Sequence, residues 1–316
     1  MGLVTTEQTT DTLYLRGIEE VCHHSFVLRR AQGPGVCEQI GCRTATEDDL
    51  DRAEAFFRRQ GAAPEWVEVP GQGRTLRVRD GVGVPLEFCA QMTRLPSRAY
   101  DYNDHRGGTA LRTDHVQLHM ADVGRAWDVY AALGFRASEY QRAQDGRIKG
   151  VWLHRKDSSW DFVLLENRGP RLHHIGFICP SLQNLFDACD MAGRLGYGRI
   201  AERGPGTHLG GHGRFVYFRD PDGHRVELVL PPPHHRMDLE SEVAEEIGQA
   251  PLPDWCLPPQ ESWWNDATEF AGLPPIAPQT DPGYLTLETY LDGRRQASRQ
   301  QPSAPPLAPS LDRIDQ

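Results

Sequence analysis

The sequence predicts an α+β chain made of paired βαβββ modules in two domains, with the first module incomplete. Three observations carry that prediction. Residues 114–167 and 172–230 repeat one order of elements: strand, helix, three strands. A fainter copy occupies 37–92, with half a copy before it. The length, 316 residues, suits two domains of ordinary size better than one.

The elements follow in order. TLYLRGIEEVCHHSFVLRRA (12–31) reads as the back half of a unit whose opening strand and helix are missing. The faint copy has a strand CEQIGCR, a helix EDDLDRAEAFFRRQG and a terminal strand GVPLEFCAQM. SRAYDYNDHRGG (97–108) is polar and glycine-rich, as a linker would be. The first clear repeat opens on the alternating strand HVQLHM. A helix ADVGRAWDVYAALGF follows, with apolar residues three and four apart at Ala126, Val129, Tyr130 and Leu133, and then strands around FRASEYQR, KGVWLHR and WDFVLLEN. The second has a strand LHHIGFI, a helix SLQNLFDACDMAGRLG, a strand RIAERG and a hairpin FVYFRDPDGHRVELVL turning at DPDG. Gly134 and Gly196 stand where a helix C-cap wants glycine. The expected division is therefore a non-catalytic N-terminal domain (1–96), a linker (97–108), a metal-binding catalytic domain (109–231), a C-terminal extension or lid (232–296) and a disordered Pro-, Ser- and Gln-rich tail (297–316).

Composition narrows the function. Apolar residues at 39% and charged residues at 25% give a globular balance. A formal charge of -10 offers no basic stripe for nucleic acid or anionic lipid, and no apolar run is long enough for a membrane span or a signal peptide. A cytoplasmic protein with a small-molecule partner is expected. The seven cysteines are scattered without a C-x-x-C pair, so they read as reduced thiols.

His115 and His174 occupy corresponding places in the opening strands of the two clear repeats, and Glu227 lies in the last strand of the second. A histidine on a strand is ordinarily a hydrogen-bonded core or surface residue. Two in equivalent places, plus a carboxylate in an otherwise apolar strand, point instead to a metal. Two imidazoles and a carboxylate on one side of a metal form the facial triad of non-haem iron(II) oxygenases, which leaves the opposite side open. The matching place in the first repeat, near Leu164, is apolar and offers no fourth ligand.

The runs HHIGF, RIAERGPG, YFRDPDGHRVEL and WLHRKD, set in these repeats, resemble the vicinal oxygen chelate superfamily. Within it they resemble the type I extradiol dioxygenases of the homoprotocatechuate and catechol 2,3-dioxygenase kind, over roughly residues 12 to 290. The resemblance implies iron(II), or manganese(II), on His115, His174 and Glu227. It implies catalytic or proton-handling roles for Tyr217 and His208, a pocket wall of Arg203 and Trp152, and an orienting role for His173. Trp160 stands where the family carries its acid–base histidine, which leaves His154 or His208 to substitute and places Trp160 itself in the substrate pocket. Gln260, Glu261 and Ser262 precede Trp263 and Trp264 where the homoprotocatechuate enzymes have an arginine pair, so an arylacetate substrate is not expected. The implied activity is ring cleavage of a catecholic diol by O2 to a semialdehyde in a homo-oligomer, tetramer or dimer. Two other readings stay open: a metal oxygenase or lyase acting on another chelating substrate, and a silent protein that only binds an aromatic ligand.

Overall fold

A computed structural model describes residues 1–156, 160–208, 213–230, 242–246, 255–277 and 285–300. The chain starts with an antiparallel meander, β1 (Val4–Gln8), β2 (Thr12–Arg16) and β3 (Phe26–Arg29). β1 was not read from the sequence. A complete βαβββ unit follows: β4 (Ile40–Arg43), α1 (Glu47–Arg59), β5 (Glu65–Val67), β6 (Thr75–Arg79) and β7 (Pro85–Cys89), in sheet order β4-β7-β6-β5. α1 starts at a capping box in which Thr46 and Asp49 satisfy each other's backbone N–H. Acidic residues at its start and Arg58 and Arg59 at its end suit the helix dipole, and Leu50 and Phe57 are its buried contacts. Residues 97–108, the expected linker, hold one short 3₁₀ turn at Tyr102–Asp104.

The two clear repeats become β8 (Arg112–Met120), α2 (Val123–Ala132), β9 (Arg136–Arg142), β10 (Ile148–His154) and β11 (Phe162–Glu166), then β12 (Arg171–Ile178), α3 (Leu182–Arg194), β13 (Ala201–Thr207), β14 (Arg214–Arg219) and β15 (Arg225–Leu230). Gly134 and Gly196 do take positive φ, +88° and +84°, just past α2 and α3. In the DPDG turn Asp220 Oδ1 accepts the backbone N–H groups of Asp222 and His224, and Gly223 takes φ +91°. The strands form one sheet in the order β13-β14-β15-β12-β8-β11-β10-β9, because β8 and β12 pair antiparallel. A ninth strand, β16 (Val243–Glu246), joins its β9 edge from the C-terminal extension. Helices α4 (Glu261–Asn265) and α5 (Leu287–Gln300) complete the described chain. α5 runs four residues into the segment expected to be disordered; residues 301–316 of that tail lie outside the described residues.

Two apolar cores hold the units together. One joins Leu50, Phe57, Leu76 and Leu86 of the second unit to Leu118, Tyr130, Leu153 and Phe162 of the third. The other gathers Phe177, Leu185, Val216 and Leu228 of the fourth, with Met1, Leu3 and Phe26 of the meander packed on it. Among the described residues no helix is long and apolar enough to cross a membrane.

Candidate metal centre

The site forms where β8 and β12 pair, at the middle of the large sheet. Alternation along β8 sends Val116, Leu118 and Met120 into the core and His115, Gln117 and His119 to the opposite face. β12 brings His174, and β15, parallel to β12, brings Glu227 in register with Gly176. Glycine is required there: a Cβ on Gly176 would lie 2.7 Å from Cε1 of His115. The His115 ring fills the space a side chain would take.

The donor atoms converge. His115 Nε2 and His174 Nε2 are 3.0 Å apart, and Glu227 Oε2 lies 3.2 Å from each. The three side chains are only 5%, 1% and 1% exposed. The surrounding hydrogen bonds fix the tautomers. His115 Nδ1–H donates to Asp114 Oδ2 at 2.7 Å, which leaves the Nε2 lone pair facing inward. His173 Nε2–H donates to the carbonyl of Trp263 at 3.1 Å, so its Nδ1 accepts from His174 Nδ1–H at 2.8 Å, and the His174 Nε2 lone pair also faces inward. With both imidazoles neutral, two lone pairs and a carboxylate oxygen meet with no proton between them, an arrangement that repels itself until a cation or an added proton enters. Three bonds of ~2.1 Å at right angles would place donors ~3.0 Å apart, whereas tetrahedral angles would place them ~3.4 Å apart. The observed 3.0 and 3.2 Å fall within that range, so the three donors are spaced to hold one metal ion between them.

The electrostatics agree. Burial opposes charge on His115, but the carboxylates of Asp114 and Glu227 outweigh it and carry its pKa up to about 9. Burial takes His174 down to about 4 against the pull of Glu227. Burial would raise the Glu227 carboxyl, yet the bonds from His115, His174 and His208 hold it well below its usual range. Without a metal, His115 takes up an added proton on Nε2, facing Glu227 Oε2.

Of the other residues singled out in the sequence, His208 and Tyr217 join this centre. His208 Nε2–H donates to Glu227 Oε1 at 3.1 Å and reaches the Tyr217 hydroxyl at 2.8 Å. Burial, followed by the Glu227 charge, raises the Tyr217 pKa well above its ordinary value, so the phenol stays protonated. Arg203 lies beside them on β13, its guanidinium 5.1 Å from the Phe215 ring and 4.9 Å from Trp263, with a buried Nε that has no hydrogen-bond partner among the described residues. Trp160 is buried edge-on to His115 at 6.0 Å, and Trp152 packs with it. His154 is not brought in: its Nδ1–H donates to the carbonyl of Lys156, and it makes no hydrogen bond to any of the three converging residues. The counterpart of Glu227 in the third unit is Val163, across from Gln117, one residue before Leu164. Both are apolar.

Residues 112–228 match the profile of the Glyoxalase/Bleomycin resistance protein/Dioxygenase superfamily. An extradiol ring-cleaving dioxygenase from B. fuscum is 31% identical and superposes with a TM-score of 0.82, over 89% of this chain and 80% of that one. The chain belongs to the extradiol dioxygenases of the vicinal oxygen chelate superfamily. Homoprotocatechuate 2,3-dioxygenase from Arthrobacter globiformis is similar at 29% identity and a TM-score of 0.79, over 86% of each chain. A manganese-dependent 2,3-dihydroxybiphenyl 1,2-dioxygenase from Geobacillus genomosp. 3 is 26% identical over 247 residues, 72% of this chain and 77% of the relative.

Two contributors escaped the sequence reading. Asp114, the residue before a ligand histidine, could have been suspected as its hydrogen-bond partner. Trp263 was placed only in a lid-like segment; it packs at 4.6 Å on His173 and 4.5 Å on Tyr217 and accepts the bond that sets the His174 tautomer.

Proposed function

We propose that this extradiol dioxygenase relative is an iron(II)-dependent enzyme, with manganese(II) as the alternative metal, that opens a catecholic ring with O2 to a semialdehyde. The observation that supports it most directly is the set of three inward donors about 3 Å apart, two imidazoles and one carboxylate. The manganese-dependent relative keeps both metals in view. The bound metal would supply Lewis acidity toward both diol oxygens and an electron path between diol and dioxygen.

The chain's own residues do the rest. The neutral Tyr217 hydroxyl donates a hydrogen bond to a substrate oxygen beside Glu227. His208, bonded to both, takes up and returns the proton that a diol releases when it ionises. Trp152, Trp160 and Trp263 exclude water and face the flat ring, and Arg203 lines the edge. Residues 109–231 carry this chemistry, 1–96 are a non-catalytic partner domain, and the described part of 232–296 acts as the lid. A cytoplasmic homo-oligomer, dimer or tetramer, completes the reading and follows the family relationship.

Oxygen uptake and the near-visible spectrum decide it. Protein purified without oxygen and reloaded with iron(II) or manganese(II) should consume one O2 per catechol and form a yellow product, and His115→Ala should do neither. Stoichiometric metal binding without oxygen uptake on any substituted catechol would move the reading to a lyase or another oxygenase. No metal binding would remove the centre itself.

A further inference from the structure

We infer that Ser138 is a positioning residue for the proposed reaction: it pins Trp160 as a fixed, uncharged wall beside the metal centre. The inference rests on the function proposed above. Its basis is a break in the β9–β10 ladder. Glu139 pairs with Trp152 and Ala137 with Leu153, so Ser138 is the extra residue of a β-bulge. A bulge turns one side chain out of the alternation, and here the side chain is a buried hydroxyl. Its Oγ–H donates to the Trp152 carbonyl at 3.3 Å, and its oxygen accepts the Trp160 indole N–H at 3.0 Å. One hydroxyl thus ties the Trp160 indole to the Trp152 backbone.

The consequence concerns protons. Its N–H is held by β9, three strands from β8, and the indole lies T-shaped to His115 with ring centroids 6.0 Å apart. Val163, Leu165 and Trp152 continue that surface as an apolar cluster. The Lys156 ammonium is engaged elsewhere: its Nζ donates to the carbonyls of Asp114 and Trp160 and pairs with Asp161 at 2.8 Å. Among the described residues the Trp160 wall itself therefore offers no acid or base, and proton transfer falls to His208 and Tyr217 of the fourth unit, which hydrogen-bond the centre. Fixing the indole matters because it sets how closely a ring can approach the centre. Without Ser138 the buried N–H would lose its partner, and the ring would leave this rotamer to recover one.

Ser138→Ala, Ser138→Thr and Trp160→Phe test this, alone and combined. In the metal-free protein, the Trp160 fluorescence, taken as the difference from Trp160→Phe, should become markedly more open to acrylamide in Ser138→Ala and return to parent behaviour in Ser138→Thr. In the metal-loaded protein, Ser138→Ala should raise the catechol KM about tenfold and leave kcat within about twofold. It should add nothing in the Trp160→Phe background. Unchanged quenching, or a KM rise that persists in that background, overturns the positioning role. If no catechol is turned over, the functional reading fails by itself, while quenching and the binding titration of 4-nitrocatechol still decide whether Ser138 fixes the wall. Ser138→Cys, which keeps the volume and weakens the acceptor, replaces the alanine variant if that does not fold, with the same outcomes deciding.

Discussion

Replacing Asp114 by Asn should weaken metal binding in a way that depends on pH with a definite sign. The shape of the side chain is kept and only its charge is lost. In the parent the carboxylate accepts His115 Nδ1–H at 2.7 Å, with both groups buried. A buried hydrogen bond to a charged group contributes ~1.5–3 kcal/mol, and partners of metal-bound histidines typically set 10–100-fold in affinity. With His115 deprotonated, above about pH 9, the variant should therefore bind metal roughly 10–100-fold more weakly. The same carboxylate also helps hold a proton on His115 in the metal-free site, and metal must displace that proton. As pH falls below 9 the parent loses up to about tenfold in apparent affinity per unit. The variant, with a lower His115 pKa, loses less. The two affinities should approach each other toward pH 7. Competition against a calibrated chelator at pH 9, 8 and 7 reads this directly. Equal affinities at pH 9, or a gap that widens as pH falls, would refute the reasoning.

Three further outcomes are expected. Gly176→Ala would place a methyl 2.7–3.2 Å from the His115 ring, so metal affinity should fall about tenfold or more at a stability cost of ~1–3 kcal/mol; unchanged metal titration would show that the ring can move aside. His208→Asn and Tyr217→Phe should keep stoichiometric metal yet lower kcat on the order of 10²-fold, and full activity in both would take proton handling away from them. His24 is buried with a folded pKa lowered from 6.5 to about 4, first by burial and then by its neighbour His23. Between pH 6.5 and 4 the unfolded chain therefore binds the extra proton, and stability falls as pH falls, by up to ~3 kcal/mol. Urea midpoints across that range should drop less for His24→Gln than for the parent, and parallel losses would exclude His24 as the cause.

Much of the centre was legible because repetition encodes it. His115 and His174 stand at matching points of two similar strings, and matching strings fold into matching strands, so their meeting followed once β8 and β12 paired. Glu227 could be placed on its strand but not on a face, because a strand buried on both sides, with five buried residues in six, carries no polar alternation to read. Ser138 was invisible for the opposite reason: a bulge exists only in the pairing of two strands, and neither string alone marks it. His154 looked available because it is near Trp160 in sequence, yet its ring bonds the Lys156 carbonyl. β16 was missed since a four-residue edge strand, VAEE, is set by the partner it joins more than by its own pattern.

The same frame also explains why metal is expected in one half and not in the other. In the second unit Glu87 sits across from Gly41, as Glu227 sits across from Gly176 in the fourth. The carboxylates are equivalent; their neighbours differ. On the adjoining strand Glu87 faces Arg77, whereas Glu227 faces Tyr217. Arg77 pairs with Glu87 Oε2 at 2.7 Å and Gln72 donates to Oε1 at 2.8 Å, so that negative charge is neutralised within the protein. Tyr217 cannot neutralise a charge, being held as a neutral phenol, and two imidazoles, not a guanidinium, face the carboxylate. A buried carboxylate must find a cation. In the N-terminal half the chain provides one, and in the C-terminal half that place is left for the metal of the proposed function.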